Sequence, residues 1–92
     1  MLGHMAATTA EKIRSRLQVR RALPAPEQRR AIREAAGLTQ KELADAVGVS
    51  RQAVTQWETG ARSVPRGKLL DRYVEALETL KAETAEVAAK AA

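Results

Sequence analysis

Apolar residues in the middle of the chain recur every three or four positions, the spacing that places them on one face of an α-helix. Between residues 37 and 60 they form two short sets, which are Leu38, Leu43, Ala44 and Val47 and then Val49, Ala53, Val54 and Trp57. Gly48 and Ser50 lie where the two sets meet. Glycine can adopt the positive φ that ends a helix, and serine can cap the next one. The pattern predicts two short helices joined by a tight turn.

The outer ends of these two helices also carry signals. Thr39 is followed three residues later by Glu42, a capping box that predicts a helix over about residues 40–47. The second helix is predicted over about residues 51–59, where Gly60 provides the stop. Two short helices joined by a turn of a few residues, often with a glycine, form a helix-turn-helix.

Two more helices are predicted before this pair. The segment Pro24-Ala25-Pro26 separates them, because neither proline can lie in a helix interior, although Pro26 can occupy a first turn. The earlier helix is predicted over about residues 9–23, with Thr8 or Thr9 as its cap. The later one is predicted over about residues 27–36. Its inward residues are predicted to be Ala31, Ile32, Ala35 and Ala36.

A longer helix is predicted at the end of the chain. It begins near Pro65 or Arg66 and continues toward Val87, because no glycine or proline follows Gly67. Its apolar stripe consists of Leu69, Leu70, Tyr73, Val74, Leu77 and Leu80. Leu77, Leu80, Thr84 and Val87 then approximate a weak heptad repeat. This stripe predicts a dimer seam, a support for the first helix or a frayed tail.

Composition favours one small all-α domain, a compact bundle of about five helices. The 92 residues are 45% apolar, yet they include one Trp, one Tyr and no Phe, so Leu, Val, Ile and Ala must build the core. The absence of cysteine excludes disulfides and thiolate metal sites. No segment approaches the ~18 apolar residues of a membrane span, and no signal-peptide pattern occurs.

The net charge of +5 is concentrated in the front and middle of the chain. Residues 1–36 carry eight basic and three acidic side chains, whereas residues 67–92 carry four and five. A phosphate-binding face requires such a distribution, although a solvated basic surface would show it as well.

The first helix combines this charge with a narrow apolar stripe at Ile13 and Leu17. Its basic residues are Lys12, Arg14, Arg16, Arg20 and Arg21. We therefore expect it to pack on the domain, pair with a second copy or bind phosphates; the alternative is a loosely docked, solvated helix. Before it, Met1–Met5 resembles a cloning remnant, so the single histidine within it is given no role.

Several spaced motifs together resemble one known family. They are Gly37-Leu38-Thr39-Gln40-x-Glu42-Leu43-Ala44, then Gly48-Val49-Ser50, Val54 and Trp57-Glu58-x-Gly60-x-Arg62-x-x-Pro65. This combination resembles the lambda-repressor-like helix-turn-helix family, which includes phage repressors, Cro proteins and Xre-type bacterial regulators. The resemblance covers about residues 27–80. The predicted organisation is a remnant over residues 1–5, an extra basic helix over residues 6–24, a helix-turn-helix domain over residues 25–80 and a helical extension over residues 81–92.

The resemblance implies a DNA-binding role for particular residues. Thr39 and Gln40 match the start of the helix that approaches the DNA backbone, where unpaired amides can bind a phosphate. Arg62 matches a basic loop position that meets phosphate. The base-reading face of the recognition helix is matched by Ser50, Arg51, Gln52, Thr55 and Gln56. Arg33 and Glu58 match a pair that forms an ion pair between two helices.

The residue types of the second motif helix agree with that assignment. If Ala53, Val54 and Trp57 are buried, the polar residues between them point outward. Those residues are Arg51, Gln52, Thr55 and Gln56. Arginine can pair bidentately with guanine, glutamine can pair bidentately with adenine, and a threonine methyl can contact thymine.

The function expected from these observations is sequence-specific binding of double-stranded DNA, as a homodimeric repressor on a palindromic operator, in phage immunity or autoregulation. The alternative is a DNA-binding antitoxin or adaptor whose main partner is another protein, bound through the first or last helix. If the chain is complete, dimerisation is expected to use the first helix, the long last part of the final helix, or contacts near the start of that final helix. A cytoplasmic, nucleoid-associated location follows from the DNA-binding role.

An enzyme is not expected. The chain lacks cysteine, a native histidine, a glycine-rich phosphate loop and paired carboxylates in an apolar setting. No cofactor and no metal are expected either.

Overall fold

The computed structural model describes residues 6–91, in which every regular element is an α-helix. The helices are α1 (Thr9–Ala22), α2 (Pro26–Ala35), α3 (Gln40–Val47), α4 (Arg51–Thr59) and α5 (Lys68–Ala91). The predicted all-α class, with an extra first helix and a long last one, is confirmed. The predicted cloning remnant, Met1–Met5, lies outside the described residues.

The helix ends follow the predicted caps. At α3, the Thr39 hydroxyl accepts from the amide of Glu42, whose carboxylate accepts from the Thr39 amide. At α4, the Ser50 hydroxyl oxygen accepts from the amide of Ala53 at 3.1 Å. Between these helices Gly48 has φ +89°, the left-handed conformation that closes α3 and lets α4 start in a new direction. The cap predictions at these positions are confirmed.

The core lies where α3 and α4 pack on the first half of α5. Leu43, Val54 and Tyr73 are fully buried there. The Trp57 and Tyr73 rings meet at 4.8 Å between centroids and 48° between planes, a tilted pair typical of favourable aromatic contacts. The other buried apolar residues are Ala44, Val47, Val64, Leu70, Val74 and Leu77. The helix-turn-helix therefore rests on α5 as a rigid support.

The predicted start of α5 and the predicted inward face of α2 were partly wrong. Helix α5 begins at Lys68 instead of Pro65 or Arg66, because Gly67 adopts φ +94° and cannot continue a right-handed helix backward. In α2, Ala31 and Ala35 are exposed, while Arg33 is buried. A methyl side chain removes little apolar area from water, so an alanine pattern fixes the inward face of a helix only weakly.

Helix α1 packs on the domain, the first of the three predicted alternatives. Arg16 forms an exposed ion pair with Asp71 in the first turn of α5, with 3.0 Å between Nη1 and Oδ1. Val19 and Leu23 are half-buried against the core cluster. Ile13, further toward the start of α1, remains 54% exposed. The outer half of α1 therefore keeps one large apolar side chain largely exposed, while Leu17 beside it is half-buried.

Candidate nucleic-acid interface

The two faces of α4 differ sharply in burial. Val54, Trp57 and Glu58 are buried against the rest of the domain. Arg51 and Gln52 are exposed at the start of the helix. Thr55 and Gln56, one turn further along, are half-buried. Four of the five residues expected to contact bases therefore lie on the outer side of α4.

The fifth, Ser50, lies at the N-cap of α4 and is exposed. Its oxygen accepts a hydrogen bond from the Ala53 amide, which leaves its hydroxyl hydrogen available for another acceptor. The cap and a contact to DNA can thus coexist on one side chain.

Arg33 and Glu58 form a buried, two-pronged ion pair between α2 and α4. The Arg33 Nε and Nη2 atoms donate to the two carboxylate oxygens of Glu58 at 2.6 and 3.0 Å. The two side chains are only 9% and 1% exposed. Arg33 Nη1 also donates to the Leu38 carbonyl at 2.8 Å. The hydrogen bonds that Arg33 donates to Glu58 raise the pKa of its guanidinium, which stays charged at any physiological pH.

The ion pair extends into a chain of side-chain hydrogen bonds that reaches the outer face of α4. Gln40 Nε2 donates to Glu58 Oε1 at 3.1 Å, and Thr55 Oγ1 lies 2.9 Å from Gln40 Oε1. The Thr55 hydroxyl also lies 3.1 Å from the Arg51 carbonyl. Gln40, expected at phosphate, and Thr55, expected at a base, are therefore held together. The spacing of residues along the sequence did not predict this link, because polar residues do not follow the helical periodicity that buried apolar residues show.

A polar cleft of about 480 Å³ opens where α2, α3 and α4 meet. Its lining residues are Arg30, Arg33, Thr39, Gln40, Lys41, Arg51, Thr55, Glu58 and Thr59. The first turn of α3 faces it, and the unpaired amides of a helix N-terminus carry partial positive charge. Glu58, the one carboxylate in the lining, is already paired with Arg33. The cleft can therefore accept an anion such as a phosphate.

Arg62 lies outside this cleft, in the exposed loop after α4. Its backbone amide donates to the Gln56 carbonyl at 3.3 Å, which fixes the loop against the end of the helix. The side chain is exposed and appears in no ion pair among residues 6–91. A loop arginine of this kind can contact a backbone phosphate beside the groove.

Arg29 is a structural residue that the sequence did not reveal. Its Nε donates to the Pro24 carbonyl at 2.7 Å, and its Nη1 donates to the Trp57 carbonyl at 2.9 Å. These bonds tie the start of α2 to the last turn of α4. The only available signal was a basic residue inside a run of basic residues, which does not distinguish a structural arginine from a solvated one.

Two searches within residues 6–91 gave negative results. No group of three or more potential metal ligands lies together there. No helix in that part of the chain has the length and apolar character needed to cross a membrane.

A comparison with protein-family models matches residues 30–83 to a family described as Helix-turn-helix. The matched segment begins within α2, contains α3, α4 and the polar cleft, and ends within α5. Searches of curated proteins and of solved structures gave no match. The match covers more than half of the chain, and the two short helices α3 and α4 with the tight turn between them agree with it. The chain belongs to the helix-turn-helix family of Xre and lambda-repressor-like regulators, which bind DNA to control transcription.

Proposed function

We propose that the protein is a repressor that binds a palindromic operator as a homodimer, with α4 in the major groove. The observation that carries the proposal is the division of α4 into a buried face and an outer face whose residues can pair with bases. Arg51 and Gln52 supply the two bidentate side chains, for guanine and adenine respectively. Each good bidentate contact discriminates by about 1–3 kcal/mol against a wrong base.

The polar cleft supports a matching role for the start of α3. We assign Thr39 and Gln40 to a backbone phosphate, with the α3 amides as donors. Because Gln40 also bonds to Thr55 and connects to Glu58, a phosphate held there would set the angle of α4 through the buried ion pair. Arg62 would hold a second phosphate beside the groove.

The dimensions of the protein suit a two-fold operator. Its principal extents are 46, 37 and 21 Å. Half-sites one helical turn apart lie about 34–36 Å centre to centre, close to the middle extent. The middle extent therefore leaves room for one copy on each half-site. A single module buries only about 600–1,000 Å² on DNA, which favours a dimer for affinity.

Selection from random double-stranded DNA, followed by mass measurement of the complex, tests the proposal. We expect an inverted repeat with a central spacing near one helical turn and a complex of two chains per site. Transcription from a promoter containing the selected site should fall when the protein is added. Binding without preference over random DNA would contradict the proposed base readout, and one chain per selected site would contradict the homodimer.

A further inference from the structure

Two large apolar side chains are exposed in the described residues, and both lie outside the segment that matches the family. Ile13 in α1 is 54% exposed and Val87 near the end of α5 is 66% exposed. The family match ends at residue 83 and begins at residue 30. Neither side chain therefore belongs to the helix-turn-helix surface, and each lies in its own shallow apolar groove.

The groove on α1, here called the α1 strip, has a cationic edge. It measures about 360 Å³ and is lined by Thr9, Lys12, Ile13, Arg16, Leu17 and Arg20. Asp71 neutralises Arg16, so Lys12 and Arg20 carry the positive charge of this edge. The whole of α1 has a net charge of +4.

The groove on α5, here called the α5 strip, has an acidic edge. It also measures about 360 Å³, and its lining includes Leu80, Glu83, Thr84 and Val87 with the end of α2 beside them. Lys90 neutralises the neighbouring Glu86, so Glu83 carries the negative charge of this edge. Residues 75–90 together have a net charge of −2. The two strips are therefore opposite in charge and alike in apolar character.

The strips of one chain cannot meet each other. Arg16 holds α1 at Asp71, and Val87 lies 16 residues further along the continuous helix α5. At 1.5 Å per residue that separation is about 24 Å. A complement for either strip would therefore lie on another molecule.

We propose that the α1 strip of one copy packs on the α5 strip of a second copy, and the reverse, across a two-fold axis. The arrangement is isologous and closed, because each chain offers both members of the pair. It also doubles a contact that would be too small alone for a stable interface of about 1,200–2,000 Å². This inference rests on the proposed homodimer and assigns its surface to the two helices that flank the DNA-binding part.

The chain contains no cysteine, which permits a direct test by disulfide formation. One chain carries Ile13→Cys and a second chain carries Val87→Cys, at sites that are exposed and outside the core. Mild oxidation of the mixture, with and without the selected operator, should give at least fivefold more crosslinked dimer than either chain alone. Circular dichroism checks that both variants keep the wild-type fold.

The other outcomes of that test overturn the inference in distinguishable ways. Strong crosslinking of the Val87→Cys chain alone would place α5 against α5, and the same result for Ile13→Cys would place α1 against α1. No crosslink in a mixture that light scattering shows to be dimeric would put the dimer surface elsewhere and leave the homodimer intact. Monomers both free and on the operator would contradict the homodimer itself and leave both strips to a different protein.

Charge reversal provides a second, independent readout. One chain carries Lys12→Glu and Arg20→Glu, and the other carries Glu83→Lys and Glu86→Lys. Each alone should show at least a fivefold weaker dimer, because both of its contacts then join like charges. Mixed together they should form a heterodimer, in which both contacts again join opposite charges. A Lys12→Glu and Arg20→Glu chain that dimerises as well as the wild type would overturn the inference.

Discussion

At the residue scale, Glu58 connects the core of the domain to the surface that we propose faces DNA. Its carboxylate accepts from Arg33 on α2 and from Gln40 on α3 while it is almost wholly buried. Replacing a well-packed buried ion pair with apolar residues can be neutral, but removing one partner leaves an uncompensated charge. The importance of Glu58 therefore lies in the Arg33 charge that it neutralises.

We predict that Glu58→Ala lowers the free energy of unfolding by about 3–5 kcal/mol, because Arg33 stays buried without its counter-charge. Gln52→Ala is the matched control on the outer side of α4 and should change stability by no more than about 0.5 kcal/mol. Gln52→Ala should instead relax the base preference of a selected operator. Urea unfolding and operator competition separate the two effects, and an equal loss of stability would contradict the division of α4 into two faces.

Tyr73 yields a second prediction at this scale. Its ring is fully buried beside Trp57, and within residues 6–91 no protein group hydrogen-bonds its hydroxyl. Removing a buried hydroxyl that lacks a protein partner relieves its desolvation penalty. We therefore expect Tyr73→Phe to be as stable as the wild type or more stable by about 1 kcal/mol. A loss beyond 1 kcal/mol in urea unfolding at pH 7 would show that the hydroxyl makes a favourable interaction.

Tyr73 should also lower the stability of the folded protein at alkaline pH. Burial, together with the nearby Glu58 carboxylate, raises the pKa of Tyr73 to about 12 from an ordinary value of 10.0. Above pH 10 the unfolded chain loses this proton while the folded chain keeps it, so stability falls until the pH passes about 12. We predict that wild-type stability declines relative to Tyr73→Phe between pH 10 and 12. Parallel curves from urea unfolding at several pH values would contradict this.

At the element scale, the turn between α3 and α4 depends on one backbone conformation. Gly48 has φ +89°, and a Cβ there would lie 3.4 Å from Arg72 Nη1, an ordinary contact distance. Space is therefore available, and the cost of a side chain is the left-handed conformation itself. We predict that Gly48→Ala lowers the free energy of unfolding by about 1–2 kcal/mol.

Gly48→Asn is the matched control for this turn, since asparagine tolerates the left-handed region better than alanine. It should lose less stability than Gly48→Ala in thermal or urea unfolding. If the alanine and asparagine variants were equally destabilised, contact with Arg72 would be the cause instead of backbone conformation.

Elements with strong end signals could be predicted from the sequence. Helices α3 and α4 begin and end as predicted because Thr39, Ser50 and two glycines fix their ends chemically. The start of α5 could not be predicted, since Pro65 permits a helix there and only the φ of Gly67 excludes it. The inward face of α2 was misassigned for a similar reason, because its alanines contribute little burial.

Only part of the candidate site could be predicted from the sequence. The outer residues of α4 follow from its apolar period, which fixes the opposite face. The Arg33–Glu58 pair came from the family resemblance, since buried charges do not show in a hydrophobic pattern. The links from Gln40 to Thr55 and from Arg29 to the Trp57 carbonyl depend on how α2 and α3 meet α4 in space. The spacing of residues along the chain does not predict these contacts between helices.

At the scale of the whole molecule, the net charge of +5 favours DNA, and the phosphate contacts made by individual cations should set the salt dependence of binding. Each phosphate neutralised by a protein cation releases counterions, so the logarithm of the binding constant falls with the logarithm of salt concentration by about 0.9 per contact. A contact of this type strengthens binding to every sequence. The contribution of a phosphate contact can therefore be separated from base readout by comparing the affinities for operator and random DNA over a range of salt concentrations.

We predict that Arg62→Ala reduces this salt slope by about 0.9 per chain on operator and random DNA alike, while the ratio of the two affinities stays within a factor of about three. Gln52→Ala should do the reverse, leaving the slope unchanged and lowering the ratio by about tenfold per chain, the equivalent of one lost bidentate contact in each half-site. Lys81→Ala, an exposed cation of α5 outside the polar cleft, is the control for general charge loss. If Lys81→Ala reduced the salt slope as much as Arg62→Ala, net charge alone would account for the salt dependence. A defined phosphate contact in the loop after α4 would then be contradicted.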